Sequence, residues 1–145
     1  MAPKKKEEKT KDEDGGGREE VSVFCFNDRS TYDGQFLKRE GQPIRRNGNG
    51  IFQDTCAVFD GRWVEDEMVG DGEIRFDSGA SFTGHFLNNM YDGHGKYVWP
   101  DGSSYEGLWR ANKMHGEGVY TDAHGRRWVG KFYDGQGVDL QVEIS

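Results

Sequence analysis

Along this chain apolar residues alternate with polar ones over short stretches, and no long segment repeats them at helical spacing. One motif, aromatic-x-Gly-x-aromatic, organises the alternation and occurs five times. Its copies are Tyr32-Asp33-Gly34-Gln35-Phe36, Phe59-Asp60-Gly61-Arg62-Trp63, Phe82-Thr83-Gly84-His85-Phe86, Tyr105-Glu106-Gly107-Leu108-Trp109 and Trp128-Val129-Gly130-Lys131-Phe132. The middle glycines stand 27, 23, 23 and 23 residues apart. In copies two to four a Gly-x-Gly begins nine residues after the middle glycine: Gly70 and Gly72, Gly93 and Gly95, Gly116 and Gly118. In the first copy a five-residue insertion around Gly41 to Arg46 delays it to Gly48 and Gly50.

Alternate side chains of a strand share a face, so Phe82, Gly84 and Phe86 lie together. Gly93, Gly95, Tyr97 and Trp99 keep a common parity and join them from the next strand. Rings then lie over glycines, where any Cβ would hold them off. The opposite parity carries Thr83, His85, Asp92, His94, Lys96 and Val98, which leaves one face aromatic and the other largely wet. Asp66, Asn89, Asn112 and Gly135 tolerate positive φ and close the hairpins. Gly79, Pro100-Asp101-Gly102 and Gly125 mark the turns between hairpins. The predicted fold is all-β, an elongated single-layer antiparallel β-meander of stacked β-hairpins that grows by about 10 Å per repeat.

Extending the register places Phe24 and Phe26 where Tyr97 and Trp99 stand later. This predicts a lone first strand within 21–31, ahead of repeats 32–58, 59–81, 82–104, 105–127 and 128–145. In the last repeat Asp139 and Gln141 replace the glycine pair. Val138, Leu140, Val142 and Ile144 alternate there and read as a terminal capping strand. Residues 1–20, rich in Lys and Glu and free of aromatics, read as a disordered charged tail. Docking through Lys4, Lys5 and Lys6 is the alternative for that tail.

Composition fits a thin molecule. Hydrophobic residues make up 33% of the 145 and charged residues 31%, which leaves little aliphatic material for a thick core. With 22 glycines and 13% aromatics the chain suits rings on bare backbone better than a two-layer α/β enzyme. A net charge of −7 argues against nucleic-acid binding, which needs a basic face, and against purely electrostatic membrane binding. No apolar run approaches the roughly 18 residues of a spanning helix, and the N-terminus has no apolar signal core, so a cytoplasmic location is expected. Cys25 and Cys56 lack metal-ligand spacing and read as reduced thiols.

These motifs resemble the MORN repeat, the membrane occupation and recognition nexus motif, over about residues 32–145. The first repeat departs by its insertion and the fifth by its missing glycine pair. The resemblance implies a non-enzymatic scaffold. The segments Arg46-Asn47-Gly48-Asn49-Gly50, Gly116-Glu117-Gly118-Val119-Tyr120-Thr121-Asp122 and Val138-Asp139-Leu140-Gln141-Val142 are similar to one small member of that family. That similarity implies ciliary, flagellar or sperm-related roles, and vesicle, acrosomal or phagosomal ones.

The residues themselves offer no catalytic centre. His85, His94, His115 and His124 are spread along the repeats, whereas a metal needs ligands converging on one point. No Asp or Glu pair stands out for general acid–base work. Each Gly-x-Gly lacks the third glycine and following helix of a dinucleotide site. No catalytic, cofactor-binding or metal-binding residue is therefore assigned. The expected activity is binding of a protein partner by the aromatic face or the sheet edge. Phe76, Phe86, Trp99, Tyr105 and Trp109 are the candidate contacts, because a single layer leaves ring surface uncovered. The same rings could instead be only the core. Association with membrane phospholipid, leaning on Lys4 to Lys11 or on Arg45 and Arg46, is the second function class. Partner identity and oligomeric state are not specified.

Overall fold

A computed structural model describes residues 17–143. All strands lie in one antiparallel sheet in chain order, each hydrogen-bonded to the next. A lone strand, β1 (Arg18–Cys25), precedes five hairpins. These pair β2 (Thr31–Lys38) with β3 (Arg45–Gln53), β4 (Ala57–Val64) with β5 (Glu67–Phe76) and β6 (Ser81–Leu87) with β7 (Met90–Val98). The last two pair β8 (Ser104–Arg110) with β9 (Lys113–Thr121) and β10 (Arg127–Tyr133) with β11 (Gln136–Val142). The all-β meander is the one that the repeat predicts. Its first strand starts earlier than residue 21, because Arg18, Glu19 and Glu20 pair with Lys38, Leu37 and Phe36 and so match the full length of β2. Most of the expected tail, residues 1–16, and Ile144 of the expected cap lie outside the described residues.

A row of facing glycines crosses the sheet from β2 to β10. Gly34 opposes Gly50, Gly50 opposes Gly61, Gly72 opposes Gly84, and the row continues through Gly95, Gly107, Gly118 and Gly130. In each of the first four hairpins one ring lies on it. Phe82 covers Gly84 of its own strand and Gly95 of the next, and it is 0% exposed. A Cβ on Gly84 would stand 3.0 Å from Phe82 Cζ, and one on Gly95 2.7 Å from Phe82 Cε2. Tyr32 covers Gly34 and Gly50, Phe59 covers Gly61 and Gly72, and Tyr105 covers Gly107 and Gly118.

The two members of each glycine pair do different work. Beyond the glycine row the register of every hairpin shifts: Gly84 opposes Gly95, but Phe86 opposes Tyr91. Asp92, Gly93 and His94 thus face His85 alone, a bulge of two extra residues that preserves side-chain parity. The first glycine of the pair turns the chain there, at φ +97° for Gly48, +98° for Gly93 and +101° for Gly116. Strand alternation alone treats Gly93 as another face residue; in the structure it is the bulge, and only the second glycine supports a ring.

The last hairpin breaks this rule. Asp139 takes the left-handed position at φ +50°, and only one extra residue is inserted. Lys131 opposes Val138 while Val129 opposes Gln141, so parity reverses between them. Leu140 arrives on the aromatic face, against Gly130 and Gly137. Val138 falls beside Lys131 on the wet face and is 48% exposed. The expected common alternation of Val138, Leu140 and Val142 is therefore interrupted at Asp139.

The tight turns carry positive φ at both central residues: Glu65-Asp66, Asn88-Asn89, Ala111-Asn112 and Asp134-Gly135. That is the geometry whose twist matches a two-residue hairpin. Their second residues also bind the preceding repeat. Asp66 N–H donates to Arg46 O at 2.9 Å, and Asp66 Oδ1 accepts from Arg46 N–H at 2.7 Å. Asn89 makes the same pair of bonds with Met68, and Asn112 with Tyr91. Gly135 has no side chain and only donates, to Met114 O at 2.8 Å.

Two predictions follow from these positions. Gly84→Val and Gly107→Val place a branched side chain under a seated ring and should each lower stability by about 1–3 kcal/mol in denaturant melts. Ala111→Gly should do the reverse: Ala111 sits at φ +47°, and relieving that strain should raise stability by about 0.5–1 kcal/mol in the same measurement.

Candidate interaction face

The seated rings and the second aromatic of each motif form one continuous core. Tyr32, Phe36, Phe59, Trp63, Phe82, Phe86, Tyr105, Trp109 and Phe132 are all buried. They meet edge to face, with centroids 5.1 Å apart for Phe59–Phe86, 5.4 Å for Phe82–Trp109 and 4.7 Å for Tyr105–Phe132. Each of these contacts joins one repeat to the next. Indole donors add to them: Trp63 Nε1–H donates to Gly50 O at 3.2 Å and Trp109 Nε1–H to Gly95 O at 3.0 Å.

The aromatic residues of the second strands behave differently. Two glycines facing each other across a hairpin are covered by the one ring from the first strand, so Phe52, Tyr97 and Tyr120 have no bare backbone to sink onto. They stand half-buried against the core, with Ile74 in the equivalent place on β5. Trp99 extends this row, 5.0 Å from Tyr97 and 5.8 Å from Tyr120 between centroids.

This sorts the five candidate contacts. Phe86 and Tyr105 are 0% exposed and Trp109 is buried, so the chain itself already covers these three rings. They belong to the core, each packed against a ring of a neighbouring repeat, Phe86 on Phe59, Trp109 on Phe82 and Tyr105 on Phe132. Phe76 and Trp99 retain accessible surface. Accessible rings outside the five candidates include Phe26 and Tyr133, and also Phe52, Tyr97 and Tyr120, whose signal was their place two residues after the second glycine of a pair. Trp128 is another. Leu140 occupies the glycine cradle that its ring would fill, and the indole stands half-buried with Nε1–H reaching Asp122 Oδ2 at 3.4 Å.

The opposite face is polar with isolated apolar positions, among them Ile51, Leu108 and Val129. His85 Nδ1 lies 2.9 Å from Asp92 O, and His115 Nδ1 accepts from Asp134 N–H at 3.4 Å. Among the described residues no three His, Cys, Asp or Glu side chains come together as a metal site. Cys25 and Cys56 are free and exposed. Among the described residues no helix is long and apolar enough to cross a membrane.

Two kinds of titrating group mark the face and its rim. Burial pushes the phenols of Tyr32, Tyr91 and Tyr105 up to about 12. Tyr105 O–H donates to Leu108 O at 2.9 Å and Tyr32 O–H to Gln35 O. At the inter-hairpin turns Asp28, Asp101 and Asp122 are held below the usual carboxylate range. The cause is acceptance of turn hydrogen bonds, from Ser30 by Asp28, from Ser103 by Asp101 and chiefly from the Arg126 N–H by Asp122.

The sequence model of the MORN repeat family matches residues 59–81, 82–104 and 105–125. Those segments are the three hairpins with neither the insertion nor the slipped final strand. No curated protein matches the chain at a significant level.

The pKa shifts predict opposite behaviour at the two ends of the pH scale. The raised phenols stabilise the fold below about pH 10 and lose that contribution as pH rises towards 12. The lowered carboxylates stabilise it above their ordinary value of 3.8 and lose it as pH falls further. Melting temperatures across pH should therefore decline below about 4 and above about 10. Ultraviolet titration should show Tyr32, Tyr91 and Tyr105 ionising last; ordinary ionisation near pH 10 in the folded state would contradict the burial account.

Proposed function

We propose that this chain of MORN repeats is a non-enzymatic scaffold that binds a protein partner through its aromatic sheet face or edge. One observation carries the reading: a single-layer sheet presents a row of half-covered rings, Phe52, Tyr97, Trp99 and Tyr120, over an already complete core. Aromatic residues with one wet side are the type that most often dominates association energy. Among the described residues β1 and β11 are the edge strands of the sheet, and they offer a second mode, addition of a partner strand.

The setting is read from similarity. The long first repeat, the ending of repeat four and Val138-Asp139-Leu140-Gln141-Val142 look like the small MORN repeat-containing protein 2. This supports a cytoplasmic role in a ciliary, flagellar or sperm-related assembly. The alternative setting, a phospholipid- or vesicle-associated module in trafficking or phagocytosis, has the net charge of −7 against it.

Proximity labelling in the native cell tests the reading, with Trp99→Ala and Tyr120→Ala beside wild type and Leu108→Ala as the opposite-face control. Loss of specifically labelled proteins by the first two variants, at unchanged circular dichroism, is the expected result. If Leu108→Ala abolishes labelling and the ring variants do not, the wet face is the binding surface. Sedimentation of the full chain with anionic vesicles, abolished by Lys4→Gln, Lys5→Gln and Lys6→Gln together, would instead support the phospholipid module.

A further inference from the structure

The insertion in the first repeat builds a feature that the other hairpins lack. The segment between β2 and β3 carries Ile44 up beside the aromatic face, where it borders a half-open cleft of about 440 Å³. That size lies within the range of ligand-binding clefts. Phe24, Phe52 and Phe36 form its floor, Phe26 and Asp28 one end, Ile44 and Arg46 the other. Among the described residues Phe26 and Ile44 are large apolar side chains left 47% and 44% exposed.

Charge selects the occupant. Arg46 is already engaged: its Nε donates to Asp66 Oδ1 at 3.1 Å, and its guanidinium lies 4.0 Å from the Trp63 ring centroid and 5.0 Å from that of Phe52. Asp28 accepts from the Ser30 N–H and hydroxyl, and among the described residues no Lys or Arg pairs with it. Among the described residues the cleft therefore offers one carboxylate without a cationic partner beside aromatic rings, on a chain of net charge −7. An aliphatic stem with a cationic head matches that pair of features. From Ser30 to Phe36 the floor runs about 20 Å along β2, the length of roughly six extended residues.

We propose that this cleft docks an extended segment of a partner protein that sets apolar side chains against Phe26 and Ile44 and a lysine or arginine against Asp28. The proposal rests on the scaffold reading and assigns it a partner chemistry and a place.

Panning a library of random hexapeptides against the full chain tests it, with counter-selection on the Phe26→Ala, Ile44→Ala double variant. Both residues are exposed, so the variant should keep the wild-type melting temperature. The expected result is enrichment of sequences that combine an aromatic or aliphatic residue with Lys or Arg. In fluorescence polarisation the double variant should weaken an enriched peptide at least fivefold. Asp28→Asn, which keeps the oxygen that Ser30 bonds, should weaken it similarly and flatten its salt dependence. Failure to enrich any sequence, enrichment of acidic sequences, or equal binding by wild type and double variant each overturns the proposal. Binding of anionic vesicles in place of peptides, abolished by the same variants, would do so too. Cellular labelling separates this from the broader reading. If the double variant keeps the wild-type labelling that Trp99→Ala loses, the cleft assignment fails and the scaffold stands; if no variant of the face changes labelling, the scaffold reading itself fails.

Discussion

The structure depends on rings seated directly on glycine backbone. A sheet with a single layer has no second layer to bury its apolar face, so its core must be made within the thickness of its own side chains. Phe82 achieves this by lying flat across Gly84 and Gly95, with the edge of Phe86 closing one side and that of Trp109 another. A methyl group at either glycine would lift the ring back into water. The high glycine content is therefore the condition for having a core, and the 23-residue spacing keeps successive cradles in line across the sheet.

Continuity between repeats has a separate basis. Backbone pairing would join any two strands, but three side-chain devices recur at the junctions. Edge-to-face ring contacts cross them near the centre, indole N–H groups reach the glycine carbonyl of the preceding repeat at Trp63 and Trp109, and Asp66, Asn89 and Asn112 clasp that repeat at the hairpin tips. Each device reaches one repeat back. Cooperativity in such a sheet is built from neighbour contacts rather than from a shared centre.

The parts legible in the sequence were those that depend on residue type at a fixed spacing. Strand parity exposed the aromatic face, and residues tolerant of positive φ located the hairpin tips, Asp66, Asn89 and Asn112 among them. Depth within that face was not legible. Phe82 and Tyr97 share a face and a residue class, yet one is completely covered and the other is not, because only one ring can occupy the cradle of Gly84 and Gly95. Nor was the bulge legible, since two extra residues leave parity unchanged and Gly93 looks like a face position. Arg29 shows the same limit. It holds φ +70° where later turns have Gly79, Gly102 and Gly125, and nothing about an arginine announces that conformation.

The one-residue slip at Asp139 gives the array a direction. β1 keeps the phase of a second strand, with Phe24 opposite Tyr32 as Tyr97 is opposite Tyr105, so a duplicated hairpin spliced ahead of it would find its cradles aligned. β11 has lost that phase, and Leu140 already fills the last cradle. A hairpin copied after it at the 23-residue spacing would be one residue out of step and would present its polar side to the rings. In the language of polymers, the sheet has one living end and one terminated end. Lengthening by duplication is open on the β1 side, and on the β11 side only after the register is restored.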